Sequence, residues 1–75
     1  MAENIEKLVR MANQIAEFFA PYPRDEQVSG VQRHLRAFWS PVMKRDLLHY
    51  ISQGGDGLKE VVIEASVDGL RASFR

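Results

Sequence analysis

A small all-α bundle is the fold class this sequence predicts, and three observations predict it. Apolar residues recur at steps of three and four along most of the chain, which is the helical period. Prolines and a run of glycines fall between the periodic segments and divide them. The one strand-like stretch, Val61-Val62-Ile63, has no second strand to pair with. At 75 residues the chain makes a single domain, 1–75, of three to four helices, and short connections predict an antiparallel arrangement. A core this thin is marginal unless a partner covers part of it.

The first helix is expected at about 4–20. Ile5, Leu8, Ala12, Ile15, Ala16 and Phe19 form one stripe, widened by Val9, Met11 and Phe18. Asn4 is the candidate cap, with Lys7 where a capping box would have Glu. Pro21 and Pro23 stop the helix, because each lacks an N–H and disfavours helical geometry in the residue before it. A second helix is expected at about 25–39, opened by Asp25 and Glu26 at the positive end of its dipole. Val28, Val31, Leu35 and Phe38 give it a buried stripe that ends at Trp39, and Gly30 inside it costs about 1 kcal/mol of helix propensity.

Ser40-Pro41 restarts the chain as a third helix over 41–52. Ser40 caps it, and Pro41 takes the first position, where a missing N–H does no harm. Met43, Leu47, Leu48, Tyr50 and Ile51 supply its apolar face. Gly54-Gly55-Asp56-Gly57 breaks the pattern, and a fourth helix is expected at about 58–67 on Leu58, Val61, Val62 and Ala65. The tail, 69–75, has no sustained pattern and is expected to fray.

Composition narrows the function classes. Ten Lys/Arg balance ten Asp/Glu, so the simplest electrostatic case for nucleic-acid or anionic-membrane binding is missing. With no cysteine, the sequence has no disulfide, no thiol nucleophile and no cysteine-ligated zinc or iron–sulfur cluster. The longest apolar runs are three residues, as in Phe18 to Ala20 and Val61 to Ile63, and fall far short of the roughly 20 residues of a spanning helix. Glu3 and Glu6 stand where a signal peptide would be positive. A small soluble intracellular protein with neither nucleic-acid nor membrane partners is therefore expected.

Catalytic and metal-binding constellations are sparse. His34 and His49 are fifteen residues apart, and a lone Asp46–His49 pair at helical spacing falls short of the three or four ligands zinc requires. No nucleophile is tied to that pair by pattern. The glycine run has neither the G-x-G-x-x-G spacing nor the Gly-Lys-Ser/Thr of a phosphate loop, and reads as a helix-to-helix turn. No catalytic, cofactor-binding or metal residue is assigned.

The stretch from Arg33 to Arg45 is unusual. It holds Arg33, Arg36, Lys44 and Arg45 without an acidic residue, with Phe38, Trp39 and Met43 between them. Asp56, Glu60, Glu64 and Asp68 recur every four residues further on. Trp, Met and Arg are enriched at protein interfaces, so this stretch is a candidate contact surface. Phe18-Phe19 and Phe38-Trp39 are adjacent pairs about 100° apart around a helix, so one ring of each pair lies at the core edge or outside it.

The block Leu8-Val9-Arg10-Met11-Ala12-Asn13-Gln14-Ile15-Ala16-Glu17-Phe18-Phe19 is followed by Tyr22-Pro23 and by His34-Leu35-Arg36-Ala37-Phe38-Trp39-Ser40-Pro41-Val42-Met43. With Gly54-Gly55-Asp56-Gly57-Leu58, these residues resemble the delta subunit of NAD-dependent formate dehydrogenase over about Leu8 to Ala65. Val42 stands where that pattern has arginine, and Lys44 replaces a second arginine. The resemblance implies an accessory subunit of a cytoplasmic, oxygen-tolerant enzyme containing molybdenum or tungsten. Its alpha subunit would hold the bis-molybdopterin guanine dinucleotide cofactor and iron–sulfur clusters, and its beta and gamma subunits flavin and further clusters. The delta subunit itself is expected to be cofactor-free, not an enzyme on its own, and to support cofactor maturation or the stability of the complex.

Docking on the alpha subunit is then expected through an exposed Trp39/Arg36/Met43 patch, with Arg10 and Asn13 as further contacts. Isolated, the chain could pair with a second copy to cover its surplus rings. The alternative is a small nucleic-acid-binding or regulatory protein acting through the Arg33–Arg45 basic stretch.

Overall fold

A computed structural model describes the backbone of residues 2–70 and the side chains of 5–69. Its elements, in order, are α1 (Ala2–Phe19), α2 (Arg24–Phe38), α3 (Pro41–Ser52), α4 (Glu60–Ala65) and a π-helical turn, Ser66–Leu70. All described secondary structure is helical, as the periodicity predicts. Val61 and Val62 lie buried inside α4 and not in a strand. Of the tail expected to fray at 69–75, Gly69 and Leu70 belong instead to the π-turn; its remaining residues, 71–75, and the cap by the Asn4 side chain fall outside the described residues.

The boundaries shift for identifiable reasons. Helix α1 starts at Ala2, ahead of the expected Asn4, because nothing in Ala2-Glu3 opposes a helix. It ends at Phe19, where the Ala20 N–H reaches back only three residues, to Glu17 O, and tightens the last turn. Gln27 binds the connection to α2: its Nε2 donates to Ala20 O at 3.1 Å and to Tyr22 O at 2.7 Å. Helix α2 ends one residue early, at Phe38. Trp39 is its C-cap, extended at φ −89°, ψ 139°. Ser40 is extended too, and its Oγ accepts the Met43 N–H at 3.2 Å with Pro41 in the first turn, which is the cap the sequence announces.

These two extended residues turn the chain sharply, so α2 and α3 are consecutive yet hardly touch. Helix α2 instead packs against α4, α1 and the π-turn, while α3 packs against α1 and the π-turn. The core lies between them: Leu8, Ala12 and Ala16 from α1, Val31 and Leu35 from α2, Trp39, Leu47 from α3, and Val61, Val62 and Ala65 from α4.

Gly30 explains its own helix penalty. A Cβ there would stand 2.5 Å from the Phe19 ring, so glycine lets that ring lie against the α2 backbone. The α3–α4 connection uses glycine differently. Gly54, Gly55 and Gly57 all have φ between 63° and 121°, a region other residues enter at a cost. Helix α4 begins at Glu60, two residues later than expected. Lys59 is held extended (φ −67°, ψ 147°) because its N–H is donated sideways to Asn13 Oδ1 at 3.0 Å, which keeps Leu58 and Lys59 out of the helix. At the far end Gln32 Nε2 donates to Ala65 O at 3.3 Å, where the α-helix gives way to the π-turn.

Candidate functional site

Two features stand out once the core is set aside: a ridge of aromatic rings across α1 and α2, and a glycine loop fastened to α1. The ridge begins with Phe18, which is 70% exposed and sets its ring edge-on to Phe19 at 5.0 Å and 89°. Phe19 is half-buried and continues to Tyr22 at 5.9 Å. Beyond Gly30, His34 lies 4.7 Å from Phe38, tilted by 38°, and Phe38 is 74% exposed. Phe19, Gly30, Arg33, His34, Ala37 and Phe38 line one shallow depression of about 400 Å³. The two helices thus present their rings as one surface.

Trp39 corrects a sequence expectation. It is only 5% exposed and belongs to the core. Each adjacent pair does place one ring outside, but in the second pair Phe38 is that ring. The cause is the cap: Trp39 leaves the helical phase at the end of α2, and its extended backbone turns the indole inward. A partner contact built on an exposed Trp39 is not available in this conformation.

Asn13 is likewise occupied inside the molecule. Its Nδ2 donates to Gly57 O at 2.9 Å while its Oδ1 accepts from Lys59 N, so one side chain clamps both ends of the turn after Asp56. Tyr50 Oη closes the loop from the other side, donating to Asp56 O at 2.6 Å. The position of Asn13 at the border of the apolar stripe of α1, between Val9 and Ala16 on one side and Glu6 and Glu17 on the other, lets it reach the backbone groups of the glycine loop.

The other expected contacts disperse. Met43 is half-buried against the core and lines a cleft of about 290 Å³ with Lys7, Leu8, Met11, Val42 and Asp46. That cleft lies on the flank of α1 away from Asn13, since Met11 and Asn13 are about 200° apart around the helix. Arg10 and Arg36 are both exposed. Lys44 Nζ donates to Arg36 O at 3.1 Å, so one cation of the basic stretch serves the C-terminal end of α2. Arg10, Asn13, Arg36, Trp39 and Met43 therefore do not form one surface.

Chemical groups do not converge elsewhere. Among the described residues no hydrogen bond joins Asp46 to His49, and no group of three or more His, Cys, Asp or Glu is placed to hold a metal ion. No described helix is long and apolar enough to cross a membrane.

Fold and surface together define a small all-helical protein with an aromatic ridge and a fastened glycine loop. A family model described as NADH-dependent formate dehydrogenase delta subunit (FdsD) matches residues 7–66, spanning α1 from Lys7 onward, all of α2, α3 and α4, and the first residue of the π-turn. The chain belongs to that family. No curated protein and no solved structure matches it.

Proposed function

We propose that this chain is a non-catalytic accessory subunit of a cytoplasmic NAD-dependent formate dehydrogenase. It docks on the molybdenum-containing alpha subunit and supports cofactor maturation or the stability of the complex. The observation that carries this reading is the delta-subunit family match, which extends through the core-forming part of every helix. The surface is consistent with it, since two phenyl rings stand largely in water on so small a protein. The chain's part is to bind and to hold. The molybdenum cofactor, iron–sulfur clusters and flavin belong to its partner subunits.

Co-expression of the tagged chain with the formate dehydrogenase subunits tests this. The expected result is co-purification with the alpha subunit, and a complex made without the chain that contains less molybdenum or dissociates faster. Recovery of the tagged chain alone from cells making the enzyme would overturn the proposal.

A further inference from the structure

We propose that the ridge formed by Phe18, Phe19, His34 and Phe38 is the surface that seats this chain on its protein partner, and that the partner meets it with an apolar face fringed by carboxylates. This rests on the subunit reading above and adds where the contact lies and what chemistry it accepts.

Area comes first. Two phenyl rings, each nearly three-quarters exposed, leave on the order of 300 Å² of aromatic surface in water, comparable to the largest apolar patch of a typical monomer. The patch is continuous, because Phe18 rests on Phe19 and Phe19 shares a depression with Phe38. It is also preorganised. Phe19 is seated over the bare backbone of Gly30, and His34 holds one face of Phe38, so little side-chain freedom remains to be lost on binding.

Charge then selects the occupant. Arg33 lines the depression and Arg36 stands exposed a turn further along α2. Among the described residues neither guanidinium is paired with a carboxylate. The acidic residues of α2, Asp25 and Glu26, lie at its opposite end, and Glu60 and Glu64 sit on α4. A two-fold pairing of this chain with itself through the ridge would gather Arg33 and Arg36 of both copies around one apolar patch with no carboxylate of the ridge to meet them, and such like-charge crowding is unfavourable. A nucleic acid would face a chain of zero formal net charge, which offers its phosphates no sustained positive surface. A protein face with carboxylates around an apolar centre satisfies both the rings and the arginines.

The test uses formate dehydrogenase purified without this chain, titrated with the full-length chain. Phe18→Ser/Phe38→Ser is expected to keep its helical circular dichroism and thermal midpoint, because both rings are exposed, while binding about 100-fold more weakly. Arg33→Glu, at an exposed position, is expected to weaken binding by about tenfold at low salt and less at high salt. A folded double-serine variant that binds like the wild type would overturn the proposal and leave the subunit reading standing. Failure of the wild-type chain to bind would instead sink the subunit reading. Sedimentation of the isolated chain as a dimer that Phe18→Ser/Phe38→Ser turns into a monomer would show that a second copy occupies the ridge, and would overturn the proposal as well.

Discussion

Asn13→Ala separates a clamp from a contact residue. The side chain makes two hydrogen bonds across the molecule, to Gly57 O at 2.9 Å and from Lys59 N at 3.0 Å. A net hydrogen bond contributes about 1 kcal/mol, and partial access to water lets the stranded groups recover some of that, so the pair is worth about 1.5 kcal/mol. For a chain of this length that corresponds to a fall of about 10 °C in Tm. Asn13→Asp keeps the acceptor for Lys59 N but loses the donor to Gly57 O, and should fall between the two. Thermal unfolding followed by circular dichroism gives the stability, and native-state hydrogen exchange gives the local consequence: the Lys59 amide should lose protection in Asn13→Ala while amides in the middle of α2 keep theirs. An Asn13→Ala protein as stable as the wild type, with Lys59 still protected, would refute the clamp and return Asn13 to the list of partner contacts.

Two further expectations concern burial. Trp39→Ala should cost about 3–5 kcal/mol, enough to unfold much of so small a protein at ambient temperature, whereas Phe38→Ala should cost under about 0.5 kcal/mol. Chemical denaturation of both variants checks the pair, and equal losses would mean that the two rings share the core. Ser66 is completely buried and its Oγ has no hydrogen-bond partner among the described residues. Ser66→Ala removes an unsatisfied polar atom at nearly constant shape and should leave stability unchanged or raise it by up to about 1 kcal/mol, measured by the same denaturation. A marked loss would reveal a partner for that hydroxyl.

Legibility varied from element to element. Helix α3 could be read to its ends because its start is chemical: Ser40 and Pro41 supply the cap and the first position locally, without help from the rest of the chain. The start of α4 could not be read. Leu58 fits the helical stripe, but the Lys59 amide that follows it is captured by Asn13, forty-six positions away. Gly30 read as a weakness and proved to be a seat for Phe19, again a long-range fact. The candidate contacts fared least well, since choosing among Arg10, Asn13, Arg36, Trp39 and Met43 required knowing which way each element faces.

By itself the sequence determined the helical class, the breaks between helices, the family, and the certainty that one ring of each adjacent aromatic pair would be left outside. Those follow from local rules: period, proline and glycine stereochemistry, and the 100° step between neighbours. Only the tertiary structure decided that Phe38 is the outward ring and Trp39 the inward one, that Asn13 is spent within the molecule, and that Phe18, Phe19, His34 and Phe38 come together. Each of these depends on how one helix is rotated against another, and that rotation is set by packing among residues far apart in the chain.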